Sequence, residues 1–155
     1  MPRTPRQSIP DLTAHLGYWL RYVSNHVSKA FAHKLEAREV TVAEWTLMRK
    51  LYDTDGLAPS RLAEQLGLTR GAITKLADRL ITKGLATRTP DLSDARAQTL
   101  ALTARGRSLV PSLAALAEQN EAEFFDHLSI KERSTIERVL RDIVRIRGLK
   151  SIPVE

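Results

Sequence analysis

Apolar positions recur at three- and four-residue spacing along most of the chain, and one short stretch alternates instead, which predicts helices interrupted by a single hairpin. Leu12, Leu16, Trp19, Val23, Val27, Ala30, Phe31 and Leu35 form the first stripe and predict a long helix over 10–38. Thr41-Val-Ala-Glu44 has the spacing of a capping box and opens a second helix ending near Tyr52, with Trp45, Leu47, Met48 and Leu51 partly inward. Asp53-Thr-Asp-Gly56 closes it as a turn. Leu62, Ala63 and Leu66 share one face of a short third helix that stops at Gly67. Thr69 is placed to cap a fourth, along which Ile73, Leu76, Ala77 and Leu80 repeat before Gly84. Residues 85–89 and 98–102 read as two strands around a polar loop containing Pro90, Asp91, Ser93, Asp94 and Arg96. Thr103 then caps a long helix through Leu109, Leu113, Leu116, Ala117, Phe124 and Leu128. Ser129-Ile-Lys-Glu132 is a second capping box, and its helix runs through Ile136, Val139, Leu140, Ile143, Val144 and Ile146 to a stop at Gly148.

Two short helices joined by a glycine-containing turn make a helix-turn-helix, and a hairpin directly after the second helix is the wing of a winged helix. The fold class expected is mainly α with a small β-hairpin wing (α+β). Residues 1–9 read as a flexible basic arm, 39–102 as the winged helix-turn-helix, and 10–38 with 103–150 as a helical dimerisation region. The first and last helices carry more apolar surface than one compact winged helix can cover. Two chains intertwined as a dimer would cover it; a monomeric helical core is the alternative.

Composition narrows the classes without naming one. A chain of 155 residues, 43% hydrophobic, makes one domain with helical extensions and can bury a real core. No apolar run approaches the roughly 20 residues of a membrane span, and no signal-peptide core follows the basic N-terminus. The expected location is the cytoplasm, in association with the nucleoid. Without cysteine the chain has no disulfide, thiolate ligand or thiol redox switch.

Charge changes the picture more. Residues 60–107 hold nine cations (Arg61, Arg70, Lys75, Arg79, Lys83, Arg88, Arg96, Arg105, Arg107) against Glu64, Asp78, Asp91 and Asp94, so this unit carries 9 − 4 = +5 of the chain's +6. That concentration is the footprint of a polyanionic partner, although a charge run alone reads equally well as a solvated face. The fourth helix adds a reason to prefer DNA. With Ile73, Leu76 and Leu80 inward, Arg70, Gly71, Thr74, Lys75 and Asp78 point outward. Arg and Lys can donate to guanine O6 and N7, Thr serves several bases, and Gly permits close approach in a major groove. An ordinary amphipathic helix on a protein-interaction module is the competing account.

Leu62-Ala-Glu-Gln-Leu-Gly-Leu-Thr-Arg-Gly-Ala-Ile-Thr-Lys-Leu76, with Asp78-Arg-Leu80 and Lys83-Gly-Leu85 after it, resembles the helix-turn-helix of MarR-type transcriptional regulators. Arg88, Asp94-Ala-Arg96 and Leu102-Thr-Ala-Arg-Gly106 are similar to that family's wing and the start of its next helix. Ala58 departs from the Ser or Thr that often caps the first of the two helices, but Pro59 suits a first helical position, so a weaker cap and the same fold are expected. The resemblance implies an intertwined homodimer, whose two-fold symmetry calls for a pseudo-palindromic operator; a repressor is expected, with an activator as the alternative. It also implies Arg96 in a minor groove with Asp94 orienting it. Ser60, Arg61, Arg79 and Arg88 complete the DNA-facing candidates beside Arg70, Gly71, Thr74 and Lys75. Family members commonly bind a small aromatic or anionic effector between the dimerisation helices and the winged helix. Here that junction draws on His15, Trp19, Tyr22, Trp45 and Met48, for which plain core and interface packing is an equal reading.

Other chemistries find little support. Serines and histidines are scattered on helices, with no Gly-rich phosphate loop and no nucleophile elbow, so an enzyme is not expected and no cofactor is implied. His15, His26 and His33 fall near one line on the first helix. At about 1.5 Å rise per residue the first two stand roughly 16 Å apart, too far to share a metal ion. The function expected is sequence-specific, ligand-responsive transcriptional regulation. A winged-helix adaptor that binds protein and shows no DNA specificity is the alternative.

Overall fold

Both periodicities take shape in the computed structural model, which describes residues 8–90, 93 and 97–150. The elements run α1 (Leu16–Glu36), α2 (Val42–Tyr52), α3 (Pro59–Leu66), α4 (Arg70–Thr82), β1 (Ala86–Pro90), β2 (Gln98–Leu102), α5 (Ala104–Phe125) and α6 (Ile130–Arg147). β1 and β2 pair antiparallel, Ala86 opposite Leu102 and Pro90 opposite Gln98. Leu57, just before α3, bridges to Leu100 through N–H···O bonds of 3.0 and 2.8 Å, which roots the hairpin on the α2–α3 connection. A mainly helical fold with one hairpin is thus the fold class.

Local chemistry sets most helix ends. Thr41, Thr69, Thr103 and Ser129 each accept the N–H three residues on. Only Ser129 and Glu132 complete the reciprocal box, at 3.1 and 3.0 Å. At Thr41 the expected box is half made: the Glu44 carboxylate turns into the interior and meets Lys83 instead. α3 has no side-chain cap at Ala58 and begins on Pro59.

The first helix differs from expectation at its start. Leu12–Ala14 form a 3-10 turn capped by Asp11, His15 is extended, and α1 begins only at Leu16. The Trp19 indole N–H reaches back to the Thr13 carbonyl at 2.9 Å and ties the turn to the helix. Apolar spacing runs unbroken through this bend because side-chain periodicity does not report a single extended residue.

The core draws Leu35 from α1, Leu47, Met48 and Leu51 from α2, Leu62 from α3, Ile73 and Leu80 from α4, Leu100 from β2 and Leu113 from α5, all at 0–1% exposure. α6 contributes nothing to it, and none of its residues is buried. Gly106 lets α5 start against the hairpin: a Cβ there would stand 2.0 Å from the Leu85 carbonyl oxygen. The Leu85 carbonyl accepts from Thr103 N–H, and the Gly84 carbonyl from the Thr103 hydroxyl at 2.7 Å, so only a residue without a side chain fits at 106.

Candidate nucleic-acid interface

Gly67 adopts φ +63°, a left-handed conformation that L side chains rarely take, and this stops α3 after two turns. Thr69 then starts α4 by accepting from Ala72 N–H at 3.1 Å. Burial of Ile73, Leu76, Ala77 and Leu80 orients the helix, and Arg70, Gly71, Thr74, Lys75, Asp78 and Arg79 are left exposed. The Thr74 hydroxyl donates to the Arg70 carbonyl at 3.0 Å and keeps its oxygen lone pairs free. Ser60 and Arg61 are exposed in the first turn of α3.

The nine cations of residues 60–107 divide by what they touch. Four are engaged within the fold. Lys83 Nζ lies 2.8 and 3.1 Å from the Glu44 carboxylate oxygens. Arg88 donates to Asp78 at 2.7 Å. Arg105 donates to the Lys83 carbonyl at 3.4 Å. Arg107 donates to the Tyr52 and Thr54 carbonyls and lies over the Tyr52 ring. Arg61, Arg70, Lys75 and Arg79 are exposed, with no side-chain partner among the described residues. Arg96 and Asp94, the wing-tip candidates, lie outside the described residues.

An unpaired cation on a surface keeps its full hydration until an anion arrives, so these four can give up counterions to a phosphate or donate to a base edge. Lys83, Arg105 and Arg107 are occupied elsewhere; composition had grouped them with the DNA-facing charge. Arg88 belongs partly to each set, because its bond to Asp78 leaves other guanidinium N–H groups for an external contact.

The effector candidates do not converge within one chain. His15 is the extended residue ahead of α1, and Trp19 and Tyr22 are about half exposed. Tyr22 stacks on His26 with ring centroids 5.0 Å apart. Trp45 is half-buried and meets Phe31 edge-on at 6.5 Å. Met48 has no exposed surface and packs in the core, as the packing alternative for it has it. Among the described residues no cluster of three or more His, Asp or Glu is placed to hold a metal ion, and no helix is long and apolar enough to cross a membrane.

Comparison with known proteins agrees with this geometry. Residues 40–97 match the model of the MarR family, a span from the start of α2 to the wing. The multiple antibiotic resistance protein MarR of Escherichia coli is 25% identical over 130 residues, covering 83% of this chain and 90% of that one. The HTH-type transcriptional repressor Mb2911 of Mycobacterium bovis is 26% identical over 130 residues, covering 84% and 94%. Among solved structures, a complex of MepR from S. aureus with DNA superposes with a TM-score of 0.78 at 25% identity, covering 84% of this chain and 97% of that one. The Mycobacterium bovis relative is named a transcriptional repressor, and the S. aureus protein is bound to DNA. With the fold, the helix-turn-helix and the wing all in the matched order, residues 40–97 make a winged helix-turn-helix of the MarR type, and the chain around it is similar to MarR-family proteins.

Proposed function

We propose that the chain regulates transcription by binding operator DNA as a homodimer, with α4 in the major groove and the hairpin beside it. The observation that carries this reading is the set of four exposed cations, Arg61, Arg70, Lys75 and Arg79, on the helix-turn-helix, which have no side-chain partner among the described residues. Phosphate contacts from these side chains supply affinity, and Arg70, Gly71, Thr74 and Lys75 read bases. Ser60 and Arg88 add backbone contacts, and Arg96 with Asp94 is the wing-tip pair for a minor groove.

Dimerisation rests on a second feature. Ile136, Val139, Leu140, Ile143 and Val144 on α6 and Leu16, Leu20 and Val23 on α1 are large apolar side chains left 40% exposed or more. Large apolar side chains left in water on each of these helices mark an interaction site. A second copy supplies the complementary surface under two-fold symmetry, which assigns 10–38 and 103–150 to dimerisation and 39–102 to DNA. A dimer that blocks a promoter is a repressor, the role in the name of the Mycobacterium bovis relative. A small aromatic or anionic effector would sit where His15, Trp19 and Tyr22 approach the partner chain, and it acts only by favouring one spacing of the two α4 helices over another.

Selection of duplexes from a random pool, followed by affinity measurements across a salt series, tests the proposal. A pseudo-palindrome with half-sites about one helical turn apart and a clear preference over random DNA is expected. Equal affinity for random duplexes would leave a protein-interaction adaptor as the better account.

A further inference from the structure

The Glu44 carboxylate is a buried charge that the DNA contacts do not use. Its side chain is 1% exposed and its partner Lys83 is 35% exposed. The same Lys83 ammonium donates to the Glu39 carbonyl at 2.6 Å. One side chain therefore ties three elements: the corner that follows α1, the first turn of α2, and the C-terminal cap of α4. Glu39 has φ +56°, and among the described residues it is the one non-glycine at positive φ. A strained corner persists only where its surroundings hold it, and here the Lys83 bond is part of that hold.

We propose that Glu44 and Lys83 are positioning residues that set the angle of the recognition helix against α1, and through it the spacing of the two recognition helices in the dimer. The inference rests on the DNA-binding reading above. The lever is long: from Arg70 to Lys83 the helix rises roughly 20 Å at about 1.5 Å per residue. A tilt of about 5° at the Lys83 end moves Arg70 by roughly 1.7 Å, which takes a base contact out of the hydrogen-bond range of about 2.7–3.2 Å. Core packing of Ile73, Leu76 and Leu80 restrains rotation about the helix axis. Buried Leu80 and Leu85 hold the end of the helix from the apolar side, and the charged pair ties the same end to α2 and to the Glu39 corner. A cleft of about 270 Å³ lined by Arg38, Glu39, Lys83, Leu85, Arg105 and Leu109 opens beside the pair. Lys83 can therefore leave Glu44 without unpacking the interior.

Removing Lys83 alone strands a buried carboxylate and confounds stability with position, so both charges are neutralised together in Glu44→Gln/Lys83→Met. The first readout is the distance distribution between spin labels at Glu36→Cys and Thr74→Cys, placed on exposed sites of a chain with no cysteine of its own and diluted with unlabelled chain. The second is affinity for the duplex that the parent selects from a random pool. A folded double variant is expected to show a broader distribution and to bind roughly 3- to 30-fold more weakly. Lys83→Arg, which keeps the charge and the donors, is expected to behave as the parent. Should the double variant not fold, Glu44→Gln, which removes the buried charge and leaves the partly exposed Lys83 ammonium to water, carries the same comparison. An unchanged distribution, or a broadened one with parental affinity, overturns the proposal. If the parent selects no duplex, the DNA-binding reading fails, and the distance distribution alone decides whether the pair holds the helix.

Discussion

Arg88 on the first strand of the wing donates to the Asp78 carboxylate on α4 at 2.7 Å, which couples the hairpin to the face of the recognition helix. Both side chains are partly exposed, at 32% and 59%, so water screens the pair. Arg88→Ala should therefore cost at most about 1 kcal/mol of stability in urea unfolding. Operator affinity should fall by more than that, because the wing loses its tie to α4 as well as a cation. A loss of affinity no larger than the loss of stability would make the pair a surface ornament.

Gly106 gives a prediction about folding. The atom a new Cβ would strike is a main-chain oxygen, which no rotamer change can move. Gly106→Ala should destabilise by about 1–3 kcal/mol, the range for overpacking, with the upper part expected for a backbone clash. Urea midpoints measured on the purified variant check this. A midpoint equal to the parent's would mean that α5 can slide away from Leu85 at no cost.

Arg70→Ala and Lys75→Ala should separate stability from recognition. Neither side chain has a partner among the described residues, so unfolding curves should superpose on the parent's. Each should weaken operator binding by about 1–3 kcal/mol where a base contact is lost, with relaxed preference at that base. Specificity unchanged in both variants would reduce the two residues to phosphate contacts.

The α6 cap makes stability depend on pH. The Ser129 backbone N–H, and after it the Ser129 hydroxyl, hold the Glu132 carboxyl below the usual carboxylate range. A depressed folded pKa contributes stability that is present above the unfolded value, about 4.3, and is lost as pH falls through the lower folded value. Thermal midpoints of the parent should drop more steeply with acid than those of Glu132→Gln. Glu123, held low chiefly by its hydrogen bond to Lys34, titrates in both proteins and cancels in the comparison. Parallel curves would remove the cap as a source of the acid response.

Ile143→Glu tests the dimer. The side chain lies on the exposed apolar face of α6, so a carboxylate there should leave the monomer's core intact and split the dimer. Sedimentation velocity should show one chain per particle, and cooperative binding to a two-half-site duplex should disappear. A variant that still sediments as a dimer would place the interface elsewhere.

Much of this protein was determined within a few residues at a time. Thr69 caps α4 through Ala72, Ser129 and Glu132 cap each other, and Gly67 turns the chain where its missing side chain allows. Each involves neighbours in sequence, so spacing alone predicts it, and the apolar stripe of α4 sets which residues face out. Tertiary structure decided how the charges are used. Lys83 and Glu44 are 39 positions apart, and Arg107 reaches carbonyls 55 and 53 positions back. No local pattern distinguishes these cations from Arg70 or Lys75, and all counted alike as charge for DNA. The extended His15 escaped, and the depth of Met48 stayed open, for a related reason. Periodicity reports which side of an element is apolar, whereas a bend in the chain and the depth of a side chain depend on what the rest of the fold packs against it.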